Sequence, residues 1–593
     1  MAEAGSVSDR QANKPRNYKK VLRGLAAYIR PELPSFAAAV VLVLLSNVLS
    51  LAGPRLSGEA IDAMGVVSGS VRFGIVREKA FLMLGAYIGA AVLSYIMVRL
   101  ITHASQRTVR RMRQDTFNKI VDLPLVYIDT HQAGDLVSRI SYDLDLVSSS
   151  ISQDIVVISA SMFTVIGSLI MMLKMSLTLS LAFLVILPVT VLFTIYRIRK
   201  TRPLFRKRSK KLGEMNGYVE EILFGQKTIR AYSKEAYFTD EFRGINEAGI
   251  DAYYRADYQA ALNGPSVTLI SNISLAFVAM VGALLFLRGS FSLGVLASFI
   301  LYSRRFSGPI NEIAGIFAEF QSGIAAADRV FTLLEQPSEP ADAKDAEPID
   351  NVRGEVVFDH VSFSYTPDHP VIEDLSVKVK PGTLLAIVGP TGAGKTTLIN
   401  LLMRFYDPQE GEIHIDGRRS QDITRESLRR SFAMVLQDTW LFQGTVRENI
   451  AYGKPGATPD EVRRAAEAAH IASFIESLPD GYDSMVSDGA SNLSQGQKQL
   501  MTIARAMLLD TPMLILDEAT SNVDSRTEIE IQDAMNKLVK GRTAFVIAHR
   551  LSTIQSADHI LFIRDGQIVE QGTHRELIEK GGMYAGLYQA QFA

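Results

Sequence analysis

Cysteine is absent from this 593-residue chain. Disulfides, thiolate nucleophiles and Cys-ligated metal or iron–sulfur sites are therefore excluded. An excess of either charge is lacking too: 62 Lys and Arg face 63 Asp and Glu, leaving a net charge of −1. No global field points to nucleic acid, and none is expected as a partner. The opening stretch, Met1 to Lys20, has no apolar core of the kind a cleavable signal peptide needs. What the chain has in quantity is apolar residue, 47 %, unevenly spread. Residues before 330 carry long uncharged apolar runs, while residues after 350 read as a soluble α/β mixture. The chain is too long for one ordinary domain, and the two halves differ in kind.

A membrane span needs roughly 20 mostly apolar residues to cross a hydrocarbon core of about 30 Å. Six stretches qualify: Pro34–Ala52, Ala80–Val98, Ile155–Leu173, Met175–Tyr196, Ser266–Leu287 and Leu293 to Gly315. Lys174 alone separates the third from the fourth, which predicts a tight hairpin there. The connections are lopsided. Arg99–Ser150 and Arg197–Gly264 are long and polar, and nine Lys and Arg fall between Arg197 and Lys211. Arg107, Arg110, Arg111 and Arg113 cluster in the other long loop. Such an excess marks cytoplasmic loops, so both termini and both long loops are expected in the cytoplasm. These loops are helical in character and poor in Gly and Pro. The spans should continue through them as rods for about 25 residues or more, at 1.5 Å per residue.

The sixth span breaks the charge rule with Arg304 and Arg305, followed by Gly308, Pro309 and Glu312. Arg304 lies about 17 Å down a helix begun at Leu293, so it should face a watery cavity or a partner. Two readings stand: a wall of a substrate path, or a structural pairing within the bundle. Gln336–Asp350 (QPSEPADAKDAEPID) is rich in Pro, Ala and acid, without apolar periodicity, and reads as a linker.

The second half carries the chemistry. Leu384–Val388 (LLAIV) is a buried strand by its unbroken apolar run. Gly389, Pro390, Thr391, Gly392, Ala393, Gly394, Lys395, Thr396 and Thr397 follow, then a helix expected over Leu398–Phe405. This is a phosphate-binding loop in its required strand–loop–helix setting. Its glycines let backbone N–H groups turn toward phosphates, and the helix N-terminus adds positive potential. Lys395 can reach the β- and γ-phosphates of ATP, and the Thr396 hydroxyl can ligate Mg²⁺. A second buried strand, Met513–Leu516, ends in Asp517 and Glu518. Asp517 suits a Mg²⁺-coordinating carboxylate, and Glu518 can act as general base toward the attacking water. A third strand, Ala544–Ala548, ends at His549, where ligands bind parallel sheets; His549 is a candidate for contacting the γ-phosphate.

Leu493-Ser494-Gln495-Gly496-Gln497 resembles Leu-Ser-Gly-Gly-Gln, the signature of ATP-binding cassette (ABC) proteins, in its usual place before Asp517 and Glu518. Gln437 resembles the Q-loop residue, which also approaches Mg²⁺. Tyr365 resembles the aromatic that stacks on adenine, Asp524 the D-loop aspartate, and His549 the switch histidine. Tyr127–Leu136, with Ser138, Arg139 and Asp143, is similar to the first intracellular loop of ABC exporters. Glu220–Gly225, with Ile229 and Glu235, is similar to the second.

The resemblance implies an all-α six-helix transmembrane domain of the ABC exporter type, followed by an α/β P-loop nucleotide-binding domain. It places a cytoplasmic N-terminal segment with an elbow helix at 1–33, the transmembrane domain at 34–335, the linker at 336–350 and the cassette at 351–593. The expected cofactors are ATP and Mg²⁺. The expected setting is a bacterial inner membrane, with the lipid bilayer and a small-molecule substrate as partners. Two cassettes would sandwich two ATP molecules, each site joining one chain's Walker motifs to the other chain's Ser494, Gly496 and Gln497. The sequence departs from the family at Gln495, where glycine is usual, and in Val486–Asn492, while Glu518, Lys395, Gln437 and His549 are intact. That combination resembles the catalytic-glutamate subunit of heterodimeric multidrug exporters, whose partner subunit carries a degenerate Walker B. A homodimer is the alternative. ATP-driven export of hydrophobic or amphipathic compounds is the function implied. A siderophore or metabolite carrier on the same fold, and a cassette ATPase that regulates without transport, are the competitors. A peptidase-bearing exporter is ruled out for want of a catalytic Cys.

Overall fold

A computed structural model describes residues 18–65, 71–366, 369–437, 439–487, 493–517, 524–548 and 551–592. It divides into two compact units. The first comprises residues 1–122 and 131–336, the second 123–130 and 337–593.

The first unit is helical. In chain order its helices are α1 (Tyr18–Ile29), α2 (Leu33–Met64) and α3 (Phe73–Val121), while α4 (Leu125–Thr130) belongs to the other unit. Then come α5 (Ala133–Ser138), α6 (Leu144–Ser149), α7 (Ile155–Met175), α8 (Leu177–Ala231), α9 (Glu235–Ala261), α10 (Asn263–Leu287) and α11 (Leu293–Leu334). The six apolar runs lie on α2, α3, α7, α8, α10 and α11. Among the described residues, four helical stretches, containing α2, α3, α7 and α10, are long and apolar enough to cross a bilayer.

Helix α3 continues from its apolar stretch to Val121, and α8 to Ala231, as single helices of 49 and 55 residues. At 1.5 Å per residue these are about 74 and 83 Å long, well over twice the hydrocarbon thickness. The hairpin expected at Lys174 falls instead at Ser176. Lys174 completes the last turn of α7, where a cation meets the helix dipole. Ser176 adopts extended backbone and caps α8 by accepting from the N–H of Leu179.

A hydrogen-bonded seam joins α2 to α11, and its cause is one proline. Pro54 lies inside α2 and has no N–H to offer the Ser50 carbonyl one turn earlier. Arg305 supplies the missing donor, at 2.7 Å to both the Ser50 carbonyl and its hydroxyl. Tyr302 donates to the Leu51 carbonyl at 2.5 Å, and Ser298 to the Pro54 carbonyl at 2.8 Å. Ser298, Tyr302 and Arg305 share one face of α11 at helical spacing. At the end of the seam, Asp62 accepts from the Gly294 N–H at 2.7 Å and the Ser292 hydroxyl at 2.6 Å. Gly58 and Gly294 let the backbones meet there, since a Cβ on either would collide with the other helix. Of the two readings of the arginine pair, Arg305 takes the structural one.

Two π-helical turns, Arg139–Asp143 and Ser150–Asp154, interrupt the segment leading into α7. Asp143 is buried there and pairs bidentately with Arg329 of α11.

The second unit holds two main sheets. Its strands are β1 (Val356–Thr366), β2 (His369–Val379), β3 (Leu384–Val388), β4 (Glu410–Ile415), β5 (Arg418–Arg419), β6 (Phe432–Val435), β7 (Gly444–Thr445), β8 (Met485–Val486), β9 (Met513–Asp517), β10 (Thr543–Ile547), β11 (His559–Arg564) and β12 (Gln567–Gly572). An antiparallel sheet runs β2-β1-β4-β5, and a six-stranded sheet runs β12-β11-β3-β10-β9-β6. In the latter, β11, β3, β10, β9 and β6 are mutually parallel. Buried on both faces, their residues read as unbroken apolar runs, which is why LLAIV was legible as a strand.

Two segments fall where sequence did not place them. The stretch 337–350, expected as a plain linker, is part of the second unit. Its acids meet three arginines of that unit. Glu339 pairs with Arg429, and Asp342 with Arg425 and Arg404. Arg404 and Arg425 are buried, and Asp407 bridges them from the far side. Helix α4, expected within the membrane domain's first loop, also packs in this unit: Leu125 meets the core beneath the phosphate loop's strand, and Asp129 accepts from the Tyr406 hydroxyl at 2.8 Å.

Candidate nucleotide site

The C-terminal ends of β3, β10, β9 and β6 lie side by side, Ile387 opposite Ile547, Ile547 opposite Asp517 and Leu516 opposite Val435. With neighbouring strands about 4.8 Å apart, one sheet edge gathers three of the sequence candidates. The phosphate loop follows β3, Asp517 ends β9 and Gln437 stands two residues past β6, exposed. His549 follows β10 but lies outside the described residues, as do Glu518 and the D-loop stretch up to Val523.

The helix after the loop, α12, spans Lys395–Leu402 and so starts earlier than sequence suggested. Gly394 is the reason. It caps α12 in the left-handed region at φ +99°, and a Cβ there would press on Ile372 and the Val371 carbonyl. Gly392, at φ +83°, turns the loop in the same region. Lys395 thus becomes the first helical residue. Its ammonium is buried and donates to the carbonyls of Gly389 and Pro390 at 2.8 and 2.9 Å. Burial pushes its pKa below the ordinary lysine value, while the nearby Asp517 carboxylate pulls it partly back. A cation held in place, stripped of water and facing an acid is equipped to trade those carbonyls for phosphate oxygens. Thr391 in the loop and Thr396 in the first turn of α12 are exposed, whereas Ala393 and Thr397 are buried.

Tyr365, at the end of β1, is half exposed. Its hydroxyl lies 3.2 Å from the Thr397 hydroxyl and accepts from Asn400 at 3.3 Å. Its ring meets Phe363 and Tyr406 edge-on, at 5.0 and 5.1 Å between centroids. Sequence reading found Tyr365 but not its support. Asn400 and Tyr406 carry no motif, and only their spacing down α12 and past it could have pointed to them.

The signature residues form a separate group. Ser494 caps the helix Gln495–Leu509, accepting from the Gln497 N–H while the Gln497 side chain accepts from the Ser494 N–H. Gly496 is buried. The Gln495 amide donates to the Thr439 hydroxyl at 3.3 Å, two residues beyond Gln437. These hydrogen bonds do not reach the phosphate loop of the same chain. Asp524 caps the helix Ser525–Val539 and is held below the usual carboxylate range by the Thr527 N–H.

A strand-borne phosphate loop, an adjoining strand-end acid and a signature segment, joined to a helical unit with apolar spans, define one family. This chain is an ABC transporter of the exporter type. The model of the ABC transporter transmembrane region matches residues 36–310, and that of the ABC transporter cassette matches 372–521. A fatty acid ABC transporter ATP-binding/permease protein of Mycobacterium tuberculosis is 43 % identical over 539 residues, covering 91 % of this chain and 85 % of that protein. An ATP-dependent lipid A-core flippase of Hahella chejuensis is 36 % identical over 575 residues, with 96 % and 97 % covered. Among solved structures, a bacterial Atm1-family ABC exporter with ATP bound is similar at a TM-score of 0.74 and 29 % identity, covering 94 % of this chain and 98 % of that one. The ABC transporter thus binds ATP in its cassette, couples its hydrolysis to transport across the membrane and acts as a dimer.

Proposed function

We propose that this ABC transporter exports hydrophobic or amphipathic compounds, lipids among them, from a bacterial inner membrane, with both termini in the cytoplasm. The observation that carries the reading is a complete phosphate-side edge, Gly389–Thr397 with Asp517 and Gln437, attached to a transmembrane unit whose relatives carry the names of fatty-acid and lipid transporters. Lys395 and the N–H groups of the loop hold the phosphates, and Tyr365 stacks on the adenine. Thr396, Asp517 and Gln437 offer oxygen donors of the hard type that Mg²⁺ prefers, few enough to leave room for phosphate and water; when bound, that ion screens the phosphate charge. Glu518 takes the proton of the attacking water, and His549 contacts the γ-phosphate. Asp524 shapes the loop that leads to the second cassette.

The finer proposal is a heterodimer in which this chain supplies the catalytic glutamate, and its signature serves the weaker site. Gln495 supports it. Where the family has glycine, this chain puts an amide tied to Thr439 on the first turn of a helix whose N–H groups would meet the partner's phosphate. Purification of the chain alone tests assembly: a stable homodimer with robust substrate-stimulated ATPase refutes the heterodimer. Vesicle transport with a panel of dyes, lipids and metal chelates tests cargo. Uptake of chelates without any lipid or dye would favour the carrier reading instead.

A further inference from the structure

We infer that Arg304 recognises the acidic headgroup of the cargo, and that the cargo class is an acyl chain ended by a carboxylate or a phosphate. This rests on the export reading. Arg304 and Arg305 are neighbours in sequence and opposites in structure. Arg305 is consumed by α2, its guanidinium filling the gap Pro54 leaves at Ser50 and lying over the Tyr87 ring. Arg304 projects from another face of α11. Phe299, Tyr302 and Phe306 are buried on the packed side, whereas Ala297, Leu301, Arg304 and Gly308 form a stripe at helical spacing. Leu301, Arg304 and Gly308 are exposed. No described acceptor pairs with Arg304, and its neighbours along the stripe are apolar or small.

A permanently charged guanidinium at this depth cannot be left in hydrocarbon, so it belongs to a cavity or to a partner. The bundle has already used its sister for structure, and among the described residues of this unit no acid neutralises Arg304. A fork of N–H donors in surroundings of low dielectric constant favours a planar or tetrahedral oxyanion over a neutral polar group. The apolar remainder of the stripe suits the chain that the headgroup carries.

The test uses the full chain, with its partner subunit if it has one, in proteoliposomes. Cargo pairs differ only in charge: oleate against oleyl alcohol, and lysophosphatidic acid against monoolein. Wild type should favour the acidic member of at least one pair, and which pair responds identifies carboxylate or phosphate. Arg304→Gln should reduce that preference by about tenfold, Arg304→Lys should restore most of it, and neither should shift the thermal midpoint. Arg305→Gln should lower the midpoint and leave the preference standing. Transport of both members by wild type without preference, or an Arg304→Gln variant whose preference persists, overturns the assignment of Arg304 alone. Wild-type protein that hydrolyses ATP yet moves none of the four overturns the export reading, and the assignment with it.

Discussion

The proline in α2 and the arginine in α11 make a prediction that two substitutions can test against each other. Arg305→Met removes the donor to Ser50. A hydrogen bond to a charged group contributes about 1.5–3 kcal/mol, and a buried carbonyl left unpaired costs about 1–3 kcal/mol. Removing a charge from a span works the other way, by about 2.5 kcal/mol on the insertion scale. That gain accrues in the unfolded membrane-inserted chain as well, so the folded unit should still lose about 3 kcal/mol. Pro54→Ala returns an N–H to the helix, and the Ser50 carbonyl then has a partner of its own. In that background Arg305→Met should cost only about 1 kcal/mol, the remainder being its contacts with the Ser50 hydroxyl and Tyr87. The coupling energy of the cycle is then about 2 kcal/mol. Denaturant titration of the four proteins in mixed micelles measures it, and the insertion gain cancels because it enters both arms. A coupling below about 0.5 kcal/mol would mean that Arg305 holds something other than the gap left by Pro54.

Further expectations concern the second unit and the first unit's ion pair. Glu518→Gln should leave ATP binding intact and slow hydrolysis by about 10²–10⁴-fold; wild-type turnover in a phosphate-release assay refutes its role as base. Lys395→Ala should weaken nucleotide binding itself, and an unchanged ATP affinity by calorimetry counts against the phosphate-loop assignment. Arg429 holds the Glu339 carboxyl below its ordinary value of 4.5. A depressed acid stabilises the fold above the ordinary value and loses that contribution as pH falls through the lowered one. Acid below pH 4.5 should therefore loosen the 337–350 stretch in wild type, and in Glu339→Gln the pH dependence of proteolysis there should weaken, with the remainder carried by Asp342. Asp143→Leu should destabilise the first unit by about 1–3 kcal/mol, because Arg329 would lose its bidentate partner but, being partly exposed, could regain water; a melting curve matching wild type would show the pair to be idle.

Much of this architecture is written in local pattern. The strand LLAIV, the glycines after it and Asp517 at the end of another apolar run each carry their meaning within a few residues, because a phosphate loop needs its strand, turn and helix in immediate succession. The long rods of α3 and α8 are equally local, since an unbroken helical composition tells its own length. What stayed hidden depends on partners far along the chain. Ser176 rather than Lys174 makes the hairpin, because a capping hydroxyl outranks a charge that the helix dipole welcomes. The 337–350 stretch has no periodicity of its own, and its order comes from Arg404 and Arg425, whose burial no window of sequence reveals, and from the partly buried Arg429. Helix α4 packs with Tyr406, a residue 277 positions away.

The arginine pair shows the same limit most sharply. Side by side in sequence, Arg304 and Arg305 carry one identical signal, a charge where a span should have none. Only the placement of Pro54, some 250 residues earlier, gives one of them a structural duty. Once a carbonyl without its N–H is present in α2, the nearest donor on α11 is bound to be drawn to it, and helical geometry then turns the adjacent residue about 100° away. The fold thus separates two equal charges by spending one on itself. The other remains as the single guanidinium on an apolar stripe, which is where a transporter of charged amphiphiles would need it.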